Sequence, residues 1–106
     1  MDDLKNNLYI NELFDIYGVL LSSSQKRMIE LYYCLDLSLS EIAEQLSISR
    51  NGAYDAIKKG VESLKEYEDK LHIFKKNQNI ENALEYIKEK ISDEEYDIIK
   101  KYLKED

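Results

Sequence analysis

Apolar residues recur along this chain at the three- and four-residue spacing of helix faces, and no stretch alternates as a strand would. The stretch from Ser38 to Lys59, SLSEIAEQLSISRNGAYDAIKK, organises the rest. Leu39, Ile42, Ala43 and Leu46 share one helix face, and Ala53, Ala56 and Ile57 continue as a second. Ser38 with Glu41 three residues on has the form of a capping box. Ser49 can cap the second helix, its hydroxyl accepting a bond from an orphaned N–H of the first turn. Ser47-Ile48 leaves room only for a tight connector, and Ile48 is expected to plug the corner between the helices. Two short capped helices joined this way are a helix-turn-helix, whose second helix usually enters the major groove of DNA.

The same spacing places further helices on either side. Leu4 to Tyr17 reads as the first, with Ile10, Leu13, Phe14 and Tyr17 as its stripe and Gly18 as a left-handed stop. Ser22 with Gln25 opens a second, running to about Leu35 and burying Met28, Leu31, Tyr32 and Leu35. Beyond the motif, Ile57, Val61, Leu64, Tyr67 or Glu68, and Leu71 keep helical period across Gly60, so one long helix is expected from Arg50 to about Phe74. A glycine inside a helix costs about 1 kcal/mol against alanine and is best tolerated where another helix packs close. Lys75 to Asn79 reads as a turn. Ile80, Ala83, Leu84, Ile87 and Ile91 mark a fifth helix, and Ser92 with Glu95 opens a sixth, with Tyr96, Ile99, Tyr102 and Leu103 on one face. The expected fold is all-α, with roughly six helices. The division is a helix-turn-helix domain over residues 1–74, its motif at about 38–59, and a C-terminal helical hairpin over 75–106, packed on the long helix or on a partner subunit.

Composition agrees with helix: the 106 residues include no proline and only three glycines. No apolar run is long enough to cross a membrane, and the opening MDDLKNN is acidic and unlike a signal peptide, so a cytoplasmic protein is expected. Cys34 is the only cysteine and cannot form an internal disulfide.

Charge sharpens the picture. The net charge of −7 opposes simple nucleic-acid affinity, which rests on Lys and Arg neutralising phosphates. It is unevenly spread: Met1–Leu21 has one basic residue against four acidic, Ser22–Gly60 five against five, and Val61–Asp106 nine against thirteen. The motif is neutral between acidic flanks.

Helical phase puts Ser49, Arg50, Asn51, Tyr54, Asp55 and Lys58 on the free face of the second motif helix. Arg50 can pair with guanine or clamp a phosphate, and Asn51 can read adenine. Ser49 and Lys58 suit phosphates, as do Lys26 and Arg27 at the start of the preceding helix. Asp55, mid-face, repels phosphate, so the same residues also suit an ordinary solvated surface. Of the nine tyrosines, Tyr32-Tyr33 and Tyr54 are candidates for base stacking, while core packing suits Tyr17, Tyr32, Tyr67 and Tyr96. Catalysis finds no support. His72 is a lone histidine without a companion cysteine, Glu94-Glu95 sit where a helix dipole favours carboxylates, and Cys34 reads as a small packing residue. No catalytic residue, metal or cofactor is expected.

The segment Leu13 to Leu71, with its IELYY-x-LDLSLSEIAE and SR-xx-AYDAIKK runs, resembles the YlxM-type (UPF0122-like) family of small bacterial helix-turn-helix proteins. The same core is similar to region 4 of sigma factors, where a comparable motif reads the −35 promoter element. The resemblance implies a regulatory role linked to the signal recognition particle pathway, a link that in the family comes from gene neighbourhood with the particle's GTPase. Gly52 departs from the family pattern, in which a side chain is more usual on that first turn, and a base-reading contact is expected to be missing there. Two readings result. One is a dimeric regulator that binds double-stranded DNA, the dimer inferred from the distal apolar face of the long helix and the hairpin. The other is an adaptor for the signal recognition particle's protein or RNA that does not bind DNA.

Overall fold

The computed structural model describes residues 7–104, and every regular element in them is helical. Six α-helices run in order: α1 Asn7–Tyr17, α2 Ser23–Ile29, α3 Leu39–Leu46, α4 Arg50–Leu71, α5 Ile73–Ile87 and α6 Asp93–Lys104. The fold is all-α, as the spacing of apolar residues dictates. The expected start of the first helix at Leu4 lies outside the described residues. The chain forms two compact units, Met1–His72 and Ile73–Asp106.

In the first unit α4 is the spine. Ala53, Ile57, Gly60, Val61, Leu64 and Glu68 form its buried stripe. Ile10, Leu13 and Tyr17 of α1, Met28 and Ile29 of α2, and Leu39, Ile42 and Ala43 of α3 supply the rest of the core. Removing such side chains from water, at roughly 1.5–3 kcal/mol for each large one, is the main force holding the unit. Gly60 sits where α2 crosses: a Cβ there would meet the buried Ile29 side chain at 3.1 Å, and the Gln25 carbonyl lies 3.9 Å away. The mid-helix glycine is thus explained by close approach of a neighbour.

Gly18 is not a left-handed stop, since no glycine has positive φ among the described residues. It begins a 3₁₀ turn, Gly18–Leu20. Its missing side chain leaves room for the Phe14 ring, which would stand 3.0 Å from an added Cβ. Ser22 then caps α2, its Oγ accepting from the Gln25 N–H at 3.2 Å.

The second helix departs from simple phase. After Ile29 it widens into a π-helical turn, Glu30–Cys34, in which the Leu35 N–H reaches back five residues to the Glu30 carbonyl at 2.9 Å. The extra residue in that turn rotates the side chains beyond it about the helix axis. Tyr33 goes inside, Tyr32 is half-buried against it in an edge contact with centroids 5.0 Å apart, and Leu35 is 60% exposed. Leu35 as a buried position, Tyr33 as an exposed one and Cys34 as a packing residue are all corrected by this single insertion; Cys34 is exposed.

In the second unit α5 and α6 form a hairpin closed by Lys88–Lys90, where Lys90 N–H meets the Ile87 carbonyl at 2.9 Å. Ser92 and Glu95 make the expected capping box, with bonds of 2.9 and 3.1 Å. The expected turn at Lys75–Asn79 is instead inside α5. The break comes earlier, at His72, which has φ 56 and closes α4 with its N–H on the Glu68 carbonyl at 2.8 Å. Composition misleads here because asparagine and lysine also suit a solvated helix face, and a histidine gives little warning of a left-handed residue. Of the expected hairpin core, Leu84 alone is buried; Tyr102 and Leu103 are exposed and the others lie between, except the exposed Ala83.

Candidate nucleic-acid interface

The helix-turn-helix is built by its caps. At the start of α3, Ser38 Oγ accepts from the Glu41 N–H at 3.1 Å and Glu41 Oε1 accepts from the Ser38 N–H at 2.8 Å. These bonds hold the Glu41 carboxyl below its usual pKa. At the end of α3, Ser47 turns left-handed, φ 57 and ψ 44. Its N–H meets the Glu44 carbonyl at 3.3 Å, and the Ile48 N–H meets the Ala43 carbonyl at 2.9 Å. That pair of reversed bonds ends a helix in the least chain length. Ser49 then opens α4, its Oγ accepting from the Gly52 N–H at 2.9 Å. A Cβ on Gly52 would lie 3.0 Å from that same oxygen, so glycine fits closely beneath the cap.

Ile48 does not plug the corner. It is 41% exposed, and buried Ala43 and Ala53 with half-buried Leu46 lie at the junction instead. The short turn ties the Ile48 backbone back to Ala43, which leaves its side chain outside, next to the N-terminus of α4.

Ser49, Arg50, Asn51, Asp55 and Lys58 are all exposed. Tyr54 is half-buried; its phase is close to the buried stripe, which corrects its reading as an outward residue. Exposed Asn51, Asp55 and Lys58 share one side of α4, and Arg50 stands at its start, a helix end that carries no acidic residue in its first turn. With the Gly52 N–H taken by Ser49, the remaining first-turn N–H groups and the helix dipole add positive potential there, the usual setting for a phosphate. Lys59, next to Lys58, is exposed as well, although helical phase alone does not single it out.

Lys26 and Arg27 are exposed too, on the last turn of α2. They do not join the Arg50 cluster. α2 meets α4 at Gly60, ten residues past Arg50, or ~15 Å along the axis at the rise of an α-helix.

No three His, Cys, Asp or Glu side chains among the described residues gather as metal ligands. The Cys34 thiol is pushed up by partial burial and by the carboxylates of Glu30 and Asp15, away from the reactive thiolate. No helix among the described residues is long and apolar enough to cross a membrane.

The family model described as "Putative helix-turn-helix protein, YlxM / p13 like" matches residues 4–104. The chain belongs to this family, UPF0122. A UPF0122 protein of Caldanaerobacter subterraneus subsp. tengcongensis is 48% identical over 82 residues, covering 77% of this chain and 70% of the relative. One from Bacillus thuringiensis is 43% identical over 93 residues, 88% of this chain and 84% of the relative. YofM of Lactococcus lactis subsp. lactis is 44% identical over 91 residues, with 86% and 82% covered. The UPF0122 match spans both compact units, so the hairpin is as much part of the family pattern as the motif.

Proposed function

We propose that this UPF0122 protein is a non-enzymatic, cytoplasmic regulator that binds double-stranded DNA as a homodimer through the first turns of α4. The observation that carries the reading is the exposed set Ser49, Arg50, Asn51 and Lys58, beginning at an acid-free helix N-terminus whose following turns are anchored in the core by Ala53 and Ile57. On this reading Arg50 and Asn51, exposed on the first turn, contact base edges, while Ser49 and Lys58 take phosphates. Lys26 and Arg27 serve as outlying backbone contacts. The test is fluorescence anisotropy with genomic duplex fragments at low and moderate salt. Binding with a steep salt slope, weakened and flattened in Arg50→Ala and Lys58→Ala, is expected. No duplex binding even at low salt overturns the reading.

A second reading is favoured by the distal half of α4, where exposed Glu62, Glu66 and Asp69 outnumber exposed Lys65 and Lys70. Such a surface repels phosphate and steers toward Lys and Arg of a basic protein. On this reading the chain is an adaptor that modulates the signal recognition particle and its GTPase without binding DNA. Titration against the particle's protein and RNA separates the two, since its affinity is then indifferent to Arg50→Ala.

A further inference from the structure

The C-terminal hairpin is an amphipathic pair with a second apolar side. Its inward stripe runs through Ile80, Leu84 and Ile87 of α5 and Tyr96 and Ile99 of α6, yet only Leu84 is buried. By helical phase from Leu84 and Ile99, the ion-paired Glu81 and Lys104 share one side of the hairpin. Tyr86, Ile98 and Tyr102 share the opposite side, exposed by 70%, 52% and 74%. Helices of 15 and 12 residues are marginal in water alone, and a single buried side chain does little to hold them.

Charge divides the same hairpin end from end. Among the described residues, the open end, made by the start of α5 and the second half of α6, carries Lys75, Lys76, Lys100, Lys101 and Lys104 against Glu81 and Asp97, an excess that Glu105 and Asp106, next in the sequence, reduce. The closed tip carries Glu85, Glu89, Asp93, Glu94 and Glu95 against Lys88 and Lys90. A hairpin basic at one end and acidic at the other is complementary to itself when turned end for end.

We propose that Tyr86, Ile98 and Tyr102 form the surface on which a second copy of this chain docks. Two hairpins pack face to face and antiparallel, the basic end of each against the acidic tip of the other. A twofold axis satisfies the pairing, because every contact occurs twice. Turned the other way, base to base, the same faces set lysine against lysine, which disfavours that arrangement. The inference deepens the homodimer in the function proposed above and assigns it to the C-terminal hairpin.

Sedimentation of the full chain tests it. The wild type is expected to sediment as a dimer. Ile98→Glu with Tyr102→Glu is expected to give a monomer with unchanged helical content. As these changes could unfold α6, a charge series stands beside them. Reversing the tip (Glu89→Lys, Glu94→Lys) or the base (Lys75→Glu, Lys101→Glu) is expected to raise the dimer Kd about tenfold or more, and reversing both ends to restore it. A dimer that survives both the apolar and the single-end charge variants overturns this surface while leaving the dimer reading intact. A wild type monomeric at high micromolar concentration overturns both, and duplex binding by Arg50 is then judged separately by anisotropy.

Discussion

The phenol of Tyr17, at the end of α1, donates a buried 2.7 Å hydrogen bond to Oε1 of Glu68, near the end of α4. It joins positions 51 residues apart, and the Tyr67 ring lies 5.9 Å from the Tyr17 ring beside it. The Tyr67 hydroxyl donates in turn to the Leu20 carbonyl at 3.4 Å. Glu68 is the one buried charged side chain among the described residues, and its carboxylate, after burial itself, also raises the pKa of the Tyr9 phenol. Tyr17→Phe removes a donor from a buried carboxyl and is expected to cost about 1–3 kcal/mol in urea unfolding. An unchanged midpoint means that the bond is not formed in solution.

Ser47 holds a left-handed conformation in the tightest turn of the motif. The steric cost there is roughly 1–2 kcal/mol for a residue with a Cβ, against about 0.5–1 kcal/mol of extra chain entropy for glycine. Ser47→Gly is therefore expected to stabilise by ~0.5–1 kcal/mol. A rise in melting temperature, with duplex binding unaltered, checks it.

At Gly60 two terms of similar size compete. Alanine gains about 1 kcal/mol of helix propensity. Its Cβ also comes within 3.1 Å of Ile29 Cδ1, and Ile29 is fully buried with little room to yield. Overpacking of this kind typically costs about 1–3 kcal/mol, so Gly60→Ala is expected to be net destabilising by about 1 kcal/mol. Ile29→Val deletes the nearest methyl, and the double variant is expected to be more stable than the two separate losses predict. Strict additivity in urea unfolding would rule out the contact as the cause.

These positions show what a sequence discloses and what it conceals. The capping boxes at Ser38 and Ser92 were legible because Ser and Glu at that spacing have one strong local use. So was the stripe from Ala53 to Leu64, because its period persists for several turns. The π turn after Ile29 was not: ELYYC carries no residue that demands it, and one inserted residue exchanges Tyr33 for Leu35. Glu68 was ambiguous, as burial of a carboxyl depends on a tyrosine that arrives from 51 positions away. The motif face was read from phase alone, which places Asn51 and Lys58 outside but blurs Tyr54 at the edge of the stripe; Arg50 shares the phase of Ile57 and is exposed because it begins the helix.

Acid is expected to loosen the helix-turn-helix through its cap. The Glu41 carboxyl lies below its ordinary pKa because it accepts the Ser38 N–H. A carboxyl depressed in the folded state contributes stability that is present above the unfolded-state value and lost as pH falls through the folded one. Glu95 behaves alike through Ser92. Urea midpoints measured from neutral pH downward are expected to fall less steeply in Glu41→Gln with Glu95→Gln than in the wild type. Parallel curves would mean that the caps are not titrating.

Asp55 decides how the α4 face meets a polyanion. It is exposed, five residues after Arg50 and three before Lys58. A carboxylate in that row opposes each phosphate that its neighbours attract, over a range of about 10 Å at 0.1 M salt. Asp55→Asn keeps the shape and removes the charge, and is expected to tighten binding to random duplex by about 3–10-fold at low salt, with the gain shrinking as salt rises. Arg50→Ala moves affinity the other way under the same conditions. If Asp55→Asn leaves duplex affinity unchanged while Arg50→Ala lowers it, Arg50 acts from the helix end alone, and the second turn of α4 stands clear of the groove. If neither variant moves it, the face built by Ser49 and its cap serves the fold and not DNA.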